Sequence, residues 1–363
     1  MSNFPLTEMA VKMFCPDNVV KTDDAGLPSI MVYIPSFKNS DVLTGGNDKT
    51  HPAFIVNGKE IPGFYYSKYE NVVCNGKAYS LPAEDPAVNV SFETAREACE
   101  AKGYGWHLST AAEWAAIALW CKKNGFLPYG NTKYGKDSRE VENKAIPTYY
   151  DNSGKVGRVA TGTGPLTWSH DGTASGIWDL NGNVLEWQGG IRLVWGELQI
   201  LANNDAADPD NPQNETSTCW KAINAADGSL VDPECATTDA AVKASGSTVK
   251  LDYVGNVWKY STGISSTSTT YRGCDFANVT TAETIGSETK ILLRSLALLP
   301  DEGAASGEYE GDKVFWTNGS KNRRVIRGGA WNYELQAGAF FCDGVVDYPS
   351  EYIGFRAAYI LYS

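Results

Sequence analysis

One stretch of the chain is marked as a helix at both of its ends. In "LSTAAEWAAIALWCKKNG", Thr110 and Glu113 have the spacing of a capping box, and two lysines followed by Gly125 end the pattern. A second helix is predicted from about Phe92 to Lys102, with Ser91 as its N-cap. Because nothing else in the sequence has a comparable helical period, the remainder is expected to form strands, turns and loops.

The segments before these helices have the alternation of strands. "MVYIPSF" (31–37) and "FIVNGKEIPGFYYSKYE" (54–70) alternate apolar and polar positions, and Asn57-Gly58 is a strong hairpin signal. The chain also contains 36 glycines and 11 tryptophans, which indicate many turns and much aromatic packing. The predicted fold class is therefore α+β, with short antiparallel strands, two helices and much irregular loop.

The composition changes in the segment from about 197 to 310. Runs such as "NNDAADPDNPQNETSTC" and "STGISSTSTT" are rich in Asn, Asp, Ser, Thr, Gly and Pro. The segment is interpreted as a long polar insertion with little helix. It is predicted to carry a few strands, such as Val249 to Tyr253 and Lys290 to Leu298.

The charge balance excludes one class of partner. With 43 acidic and 31 basic side chains the net charge is −12, so the surface as a whole would repel a phosphate backbone. Nucleic acid is not expected as a partner. The sequence also has no signal-peptide pattern and no run of about 20 apolar residues that would span a membrane.

Few residues have the pattern of a catalytic or metal site. His51, His107 and His170 lack metal-binding spacings, and structural roles are expected for all three. Glu186, in "GNVLEWQGG", is either an acid or base or a structural acceptor for backbone amides, and the second reading is favoured. Cys342 lies among aromatic and acidic neighbours that raise a thiol pKa, so it is expected to be passive.

The eight cysteines form no Cys-x-x-Cys pair. Most are expected to be free, buried residues that behave as small apolar side chains. Only Cys219 and Cys235 lie in a loop-like setting where a disulfide is easy to form.

The C-terminal 40 residues contain two short motifs that are separated by a stretch without periodicity. Arg327-Gly328-Gly329 stands on one side and Ile353-Gly354-Phe355-Arg356 on the other. The residues between them follow neither a strand nor a helical period, and tyrosines mixed with small and acidic residues are typical of binding surfaces. The candidate binding residues are Tyr333, Glu334, Leu335, Phe341, Asp343, Val345, Val346, Asp347, Tyr348, Glu351 and Tyr352.

Several motifs together resemble a known family. "MVYIPSF", "HLSTAAEWAAIALW", "GIWDLNGNVLEW", "RVIRGGAWN" and "IGFRAA" occur in the order found in the formylglycine-generating-enzyme (sulfatase-modifying factor) branch of the C-type lectin fold. The resemblance covers about 28–196 and 311–363. It implies an N-terminal arm (1–27) and one C-type lectin-fold domain (28–363) that carries the insertion at about 197–310.

The resemblance does not extend to the catalytic residues of those enzymes. Their copper-binding cysteine pair corresponds to Tyr333 and Gly338 here, and nearby arginines are replaced by Phe340 and Cys342. The chain is therefore expected not to be an enzyme and to need no cofactor. A structural calcium or magnesium ion near the Gly-Asn-Val turn at 182–184 stays an open alternative. The calcium-sugar motifs of true C-type lectins do not occur.

The C-terminal region resembles the variable proteins of diversity-generating retroelements. In those proteins, adenine-directed copying turns Asn-type codons into Tyr, Asp, Val, Phe, Ala, Leu, Cys or Ser between fixed framework codons. Residues 330–352 have nearly this composition, although an Asn codon changed in this way cannot become Glu334 or Glu351. The resemblance adds Ala330 and Asn332 to the candidate binding residues and assigns a scaffold role to Arg327, Gly328, Gly329, Trp331, Gly354, Phe355 and Arg356.

The function that this resemblance implies is ligand or receptor binding through a hypervariable surface, in a protein of phage or bacterial origin. The partner would be an unknown protein or a cell-surface receptor, and the location a phage tail or a cell surface. A formylglycine-generating-enzyme-like oxidoreductase and a structural phage tail component are the alternatives. The sequence does not decide the ligand, the carrier, the oligomeric state or the role of the insertion.

Overall fold

The computed structural model describes residues 4–141 and 144–361. Over these residues it has five helices, where two were predicted. None of the five is long and apolar enough to cross a bilayer. The helices are α1 (Phe4–Phe14), α2 (Asn39–Val42), α3 (Phe92–Glu100), α4 (Ala111–Lys123) and α5 (Ser287–Ser295).

Helices α3 and α4 are the two that the sequence predicts, and their caps form as expected. Ser91 Oγ accepts a hydrogen bond from the amide of Thr94 (3.1 Å). At the start of α4, Thr110 Oγ1 accepts from the amide of Glu113 (3.1 Å), and the Glu113 carboxylate accepts from the amide of Thr110 (3.0 Å). These three bonds satisfy amides at the starts of the two helices that have no intrahelical partners.

Helix α5 replaces the strand predicted at Lys290 to Leu298, so that prediction is wrong. The short run Ile-Leu-Leu at 291–293 has no alternation, and a run of this length does not distinguish a strand from a buried helix. In the structure Thr289 and Leu293, four residues apart, are buried on one face of the helix. Val249 to Tyr253 does lie in a strand, as predicted.

The same residues form 21 strands, most of them short. Asn57 and Gly58 both have positive φ (50° and 73°) and close the predicted hairpin. The strands are β1 (Asn18–Thr22), β2 (Pro28–Pro35), β3 (Ile55–Val56), β4 (Lys59–Glu60), β5 (Gly63–Ser67), β6 (Val72–Cys74), β7 (Lys77–Tyr79), β8 (Trp106–Leu108), β9 (Leu185–Val194), β10 (Glu197–Ile200), β11 (Lys221–Ile223), β12 (Leu230–Val231), β13 (Ser245–Val254), β14 (Val257–Gly263), β15 (Arg272–Asp275), β16 (Thr280–Thr281), β17 (Lys313–Trp316), β18 (Arg323–Gly328), β19 (Gly338–Val345), β20 (Ile353–Phe355) and β21 (Ala357–Tyr359).

Besides the two-stranded sheets β3-β4 and β6-β7, two larger sheets contain the other 17 of these strands. The smaller has the order β1-β2-β5-β21-β8, and the larger follows the path β15-β17-β19-β18-β9-β10-β13-β14-β16 with β11, β12 and β20 attached to it. The pairs β17–β19, β9–β20 and β14–β16 are parallel, so the expectation of antiparallel strands holds for most pairs but not for these.

The predicted arm and insertion are both joined to the sheets by strand pairing. Strand β1 pairs with β2 from Asn18–Val32 to Thr22–Pro28. Within the segment 197–310, β10 pairs with β9 and β15 pairs with β17. The polar composition of this segment therefore coexists with backbone pairing to both neighbouring parts of the larger sheet.

The larger sheet separates two apolar cores. On β19, Phe340 and Cys342 belong to a core that includes helix α4, whereas Phe341 and Val345 belong to a core that includes helix α3. Both faces of this strand are therefore covered except at Asp343, which is partly exposed. Most of the other C-terminal candidate residues lie before or after the strand.

Candidate functional site

The two arginines that flank the candidate region are fully buried. Arg327 donates to the carbonyl oxygens of Leu296 and Ala297 (both 3.1 Å), at the C-terminal end of helix α5, where a cation is favoured. Arg356 Nε contacts both carboxylate oxygens of Glu186 at 2.9 Å, and its other nitrogens donate to backbone carbonyls. Each arginine thus joins a C-terminal segment to an element far away in the sequence.

Glu186 is a partner of Arg356 and does not accept from backbone amides, which corrects the favoured reading of its role. Burial raises the pKa of Glu186 to about 7, although Arg356 opposes the shift. Burial likewise raises the pKa of Asp179 to about 6 and raises that of Glu70. Of these three buried carboxyls only Glu186 pairs directly with Arg356, whereas Glu70 accepts from Asn183 and Asp179 accepts from the Gly162 amide. This buried network supports the fold and does not face solvent.

Gly328 and Gly329 turn the chain out of β18. Their φ values are +90° and +88°, in the region that side chains rarely adopt. A Cβ at Gly329 would lie 2.4 Å from Ala337 Cβ. Trp331, which is 2% exposed, then stacks on the ring of Tyr352 with 5.2 Å between centroids and an interplanar angle of 20°. We call the seven predicted scaffold residues the frame: Arg327, Gly328, Gly329, Trp331, Gly354, Phe355 and Arg356.

Three of the thirteen candidate binding residues are core residues. Ala330, Phe341 and Val345 are at most 3% exposed, so their assignment to an exposed binding surface is corrected. Phe341 and Val345 lie on β19, whose two faces are both covered, and a strand of this kind shows no alternation of apolar and polar residues. The stretch that looked aperiodic in the sequence therefore contains a regular strand.

The other ten candidates are partly or fully exposed, and we call them the C-terminal surface. Some of them have structural partners. Asp347 Oδ1 accepts from the amide of Phe92 (2.7 Å), the first residue of α3, and Glu351 accepts from the Tyr149 hydroxyl (2.8 Å). The ten are Asn332, Tyr333, Glu334, Leu335, Asp343, Val346, Asp347, Tyr348, Glu351 and Tyr352.

A cleft of about 410 Å³ is lined by four residues of this surface and by four others, among them the buried Val345, and we call it the tyrosine cleft. Tyr271, Phe315 and Gln336 line it but were not predicted. Tyr271 comes from the loop before β15, and pairing of β15 with β17 carries it to this place. No local sequence signal indicated this contribution. The lining residues are Tyr271, Phe315, Asn332, Tyr333, Gln336, Asp343, Val345 and Tyr348.

Asp343 is the charged residue of the tyrosine cleft. Burial raises its pKa to about 7, against the opposing effects of the Gly344 amide and the Arg323 guanidinium. Burial, followed by the nearby Asp343 charge, also raises the pKa of Tyr271 to about 12 and raises the pKa of Tyr333. The hydroxyls of both tyrosines therefore stay protonated and can donate hydrogen bonds at neutral pH.

The residues weighed for catalysis or metal binding lie elsewhere in the core. Cys342 is buried, and burial raises its pKa to about 11, so its thiol is protonated near neutral pH. All eight cysteines are free, including Cys219 and Cys235. No group of three or more His, Cys, Asp or Glu suited to a metal ion occurs within 4–141 and 144–361. At the Gly-Asn-Val turn, Asn183 Oδ1 accepts from Asn131 Nδ2 (3.1 Å) and the Val159 amide (3.0 Å).

A second cavity, of about 600 Å³, lies between β2, α4 and the loop around His170. Trp120 and Ile117 give it an apolar wall. The His170 ring packs against Trp120 at 5.3 Å, and its Nδ1 accepts from the Ile177 amide (2.8 Å). Burial lowers the pKa of His170 to about 4, so this ring is neutral. The cavity contains none of the candidate binding residues.

Part of the chain is similar in sequence to a described protein family. Residues 47–192 match the family described as "Sulfatase-modifying factor enzyme 1-like domain". This match covers less than half of the chain and includes helices α3 and α4 and the Gly-Asn-Val turn. No curated protein sequence matches the chain.

Solved structures give weak overall similarities. PvdO from Pseudomonas aeruginosa aligns over 94% of this chain and 98% of its own, with 14% identity and a TM-score of 0.37. The P3c and U1 variants of the Major Tropism Determinant each align over 94% of this chain and 71% of their own, with 9% identity and a TM-score of 0.29.

Proposed function

We propose that the protein binds a protein or cell-surface receptor through the C-terminal surface, which is diversified by a retroelement, and that it is not an enzyme. The fold we propose is a C-type lectin fold of the formylglycine-generating-enzyme type, with 197–310 as an insertion. The partial match to the sulfatase-modifying factor family supports the scaffold of this proposal.

The observation that carries the proposal is the contrast between a rigid frame and the exposed residues between its two ends. Frame residues are buried, hydrogen bonded or held at positive φ, whereas Leu335, Val346 and Tyr348 are each more than 40% exposed. Replacing exposed side chains usually changes stability by less than about 0.5 kcal/mol. A surface of this kind tolerates many sequences, and its tyrosines offer large contact areas for binding.

Sequencing of this gene across a natural population tests the diversification. We expect substitutions to concentrate at the ten codons of the C-terminal surface and to coincide with adenines in a nearby template copy. The ten codons of β9 (Leu185–Val194) serve as the control, because the strand is buried throughout. Equal substitution rates in the two sets would contradict the proposal.

The partial family match also favours a second candidate, an oxidoreductase of the formylglycine-generating type. Its test is to load the protein with copper and to follow conversion of a cysteine-containing peptide by mass spectrometry. Turnover that is lost on Cys342→Ser would support the enzyme. Under the binding proposal no conversion is expected, and the Cys342→Ser variant behaves as the wild type.

A further inference from the structure

We propose that the tyrosine cleft accepts a cationic group of its ligand, a primary ammonium or a guanidinium, against the carboxylate of Asp343. The inference deepens the proposed binding function and rests on it. It assigns a chemical class to the part of the ligand that enters the cleft.

The position of Asp343 is rigid. The residue lies on β19, where it is opposite Ile326 of β18 on one side and Phe315 of β17 on the other. A central strand paired on both sides has little freedom to move its backbone. The carboxyl is therefore presented to the cleft from a fixed point.

Within the cleft this carboxyl has no side-chain partner among the described residues, although the Gly344 amide contacts it from the backbone. Asp343 Oδ1 is enclosed by protein and makes no hydrogen bond with the described residues. The neighbouring Arg323 uses its guanidinium for Thr317 Oγ1 (2.7 Å) and Ser320 Oγ (2.8 Å) and forms no ion pair with Asp343. An unpaired buried acceptor is unfavourable, and a charged donor is the partner that improves it most.

Three tyrosines form the walls around this carboxyl. Tyr271 is 49% and Tyr348 is 42% exposed, so both rings are accessible from solvent. The Tyr333 ring packs edge-on against Phe341 with 5.5 Å between centroids, which holds it in place. Aromatic faces attract cations, and they do so more strongly where water is excluded. Rings and carboxylate thus favour the same kind of ligand.

The other charges around the cleft do not favour an anion. Among the eight lining residues, all of them described, none is basic. Outside the lining, Lys133 Nζ lies 3.5 Å from Glu334 Oε1, so this pair carries no net charge. The groups that face Asp343 are Arg323, Tyr271, Tyr333 and Tyr348, together with the Gly344 amide.

Two probe peptides test the proposal on the full chain. Nα-acetyl-lysine methylamide carries the cation, and Nα-acetyl-norleucine methylamide has the same four-carbon side chain without the ammonium group. Binding is measured by NMR titration at pH 8. We expect the lysine probe to bind about tenfold more tightly, as one charge-assisted hydrogen bond implies. Its affinity should rise between pH 6 and pH 8, because Asp343 ionises in this range.

Asp343→Asn keeps the shape of the side chain and removes its charge. We expect this variant to bind both probes with the weak affinity of the norleucine probe and to lose the pH dependence. Asp232→Asn is the matched control, because Asp232 lies outside the C-terminal surface and the cleft and its side chain is 90% exposed, and it should bind as the wild type. Should Asp343→Asn fail to fold, Tyr348→Ala tests the same site and should weaken binding of the lysine probe several-fold.

Equal binding of the two probes, or wild-type binding of the lysine probe by Asp343→Asn, would overturn the cation inference. Failure of both probes to bind at 10 mM would overturn it as well. Neither result affects the population test of the proposed function. Fixed codons in the C-terminal surface, combined with selective binding of the lysine probe, would instead indicate a dedicated cation-binding site without diversification.

Discussion

The frame and the C-terminal surface both lie within residues 327–356. Frame residues make contacts that the fold requires, whereas many side chains of the C-terminal surface are exposed to solvent. Arg356 reaches Glu186, 170 residues away, and Gly329 has no room for a Cβ. Leu335 and Val346, by contrast, are about half exposed. The difference teaches that mutational tolerance here is decided by the contacts of each side chain and not by its position in the sequence.

The largest effect is expected at the buried ion pair. Arg356→Met should lower the free energy of unfolding by about 3–5 kcal/mol, because it leaves Glu186 buried without its partner. Urea denaturation measures this. The control is Arg96→Met on helix α3, whose ion pairs with Glu93 and Glu100 are partly exposed and whose loss should cost less than about 1 kcal/mol. Similar losses of unfolding free energy for the two variants would contradict the special role assigned to the frame residue Arg356.

The next effect is expected at the double glycine. Gly329→Ala should cost about 2–4 kcal/mol, since it combines a positive φ with a contact of 2.4 Å to Ala337. Gly154 also has a positive φ (+78°), but nothing lies within 4 Å of the position of its Cβ. Gly154→Ala should therefore cost only about 1–2 kcal/mol. Thermal and urea unfolding of both variants separate the clash from the backbone strain.

A smaller, pH-dependent effect is expected at Asp343. Its folded-state pKa of about 7 lies above the ordinary value for Asp, so the folded state holds the proton more tightly. The stabilisation from this proton is complete below about pH 4 and is lost as the pH rises towards 7. Between pH 5 and pH 8 the free energy of unfolding of the wild type should fall by about 1–2 kcal/mol more than that of Asp343→Asn. This figure allows for partial solvent screening. Parallel stability curves for the two proteins would contradict the shifted pKa.

The smallest effect is expected on the C-terminal surface itself. Val346→Ser should change the free energy of unfolding by less than about 0.5 kcal/mol, because the side chain is 47% exposed. The adjacent Val345 is 3% exposed, and Val345→Ser should cost about 1–3 kcal/mol. Chemical denaturation of this pair tests the boundary between core and surface at a resolution of one residue. A large cost for Val346→Ser would place the boundary elsewhere.

Sequence patterns predicted the elements whose signals are local. The cap of α3, the capping box of α4 and the hairpin turn at Asn57-Gly58 all depend on residues within four positions of each other. Helix α5 was missed because its apolar run is too short to have a clear period. Strand β19 was missed because both of its faces are covered, which removes the alternation that identifies a strand.

The candidate site was predicted only in part, because only some of its residues are close together in the sequence. Five of the eight residues that line the tyrosine cleft belong to the predicted binding set. Tyr271 reaches the cleft only because β15 pairs with β17. A polar segment of irregular composition gives no indication of such a long-range pairing. Residues that act through tertiary neighbours, such as Arg327 on the carbonyls of α5, require the fold to be known first.

Strand β21 has a consequence for biosynthesis. It occupies the place between β5 and β8 in the smaller sheet, so this sheet stays incomplete until the ribosome has passed Tyr359. Strand β5 can pair with β2 at once, but at about 5–20 residues per second roughly 15–60 s pass before its second partner, β21, exists. Under the proposed diversification, every version of residues 330–352 would be made before the sheet can close, because these residues are translated before β21. A version that hinders closure leaves two strand edges open, so cellular quality control would remove it before it reached any partner.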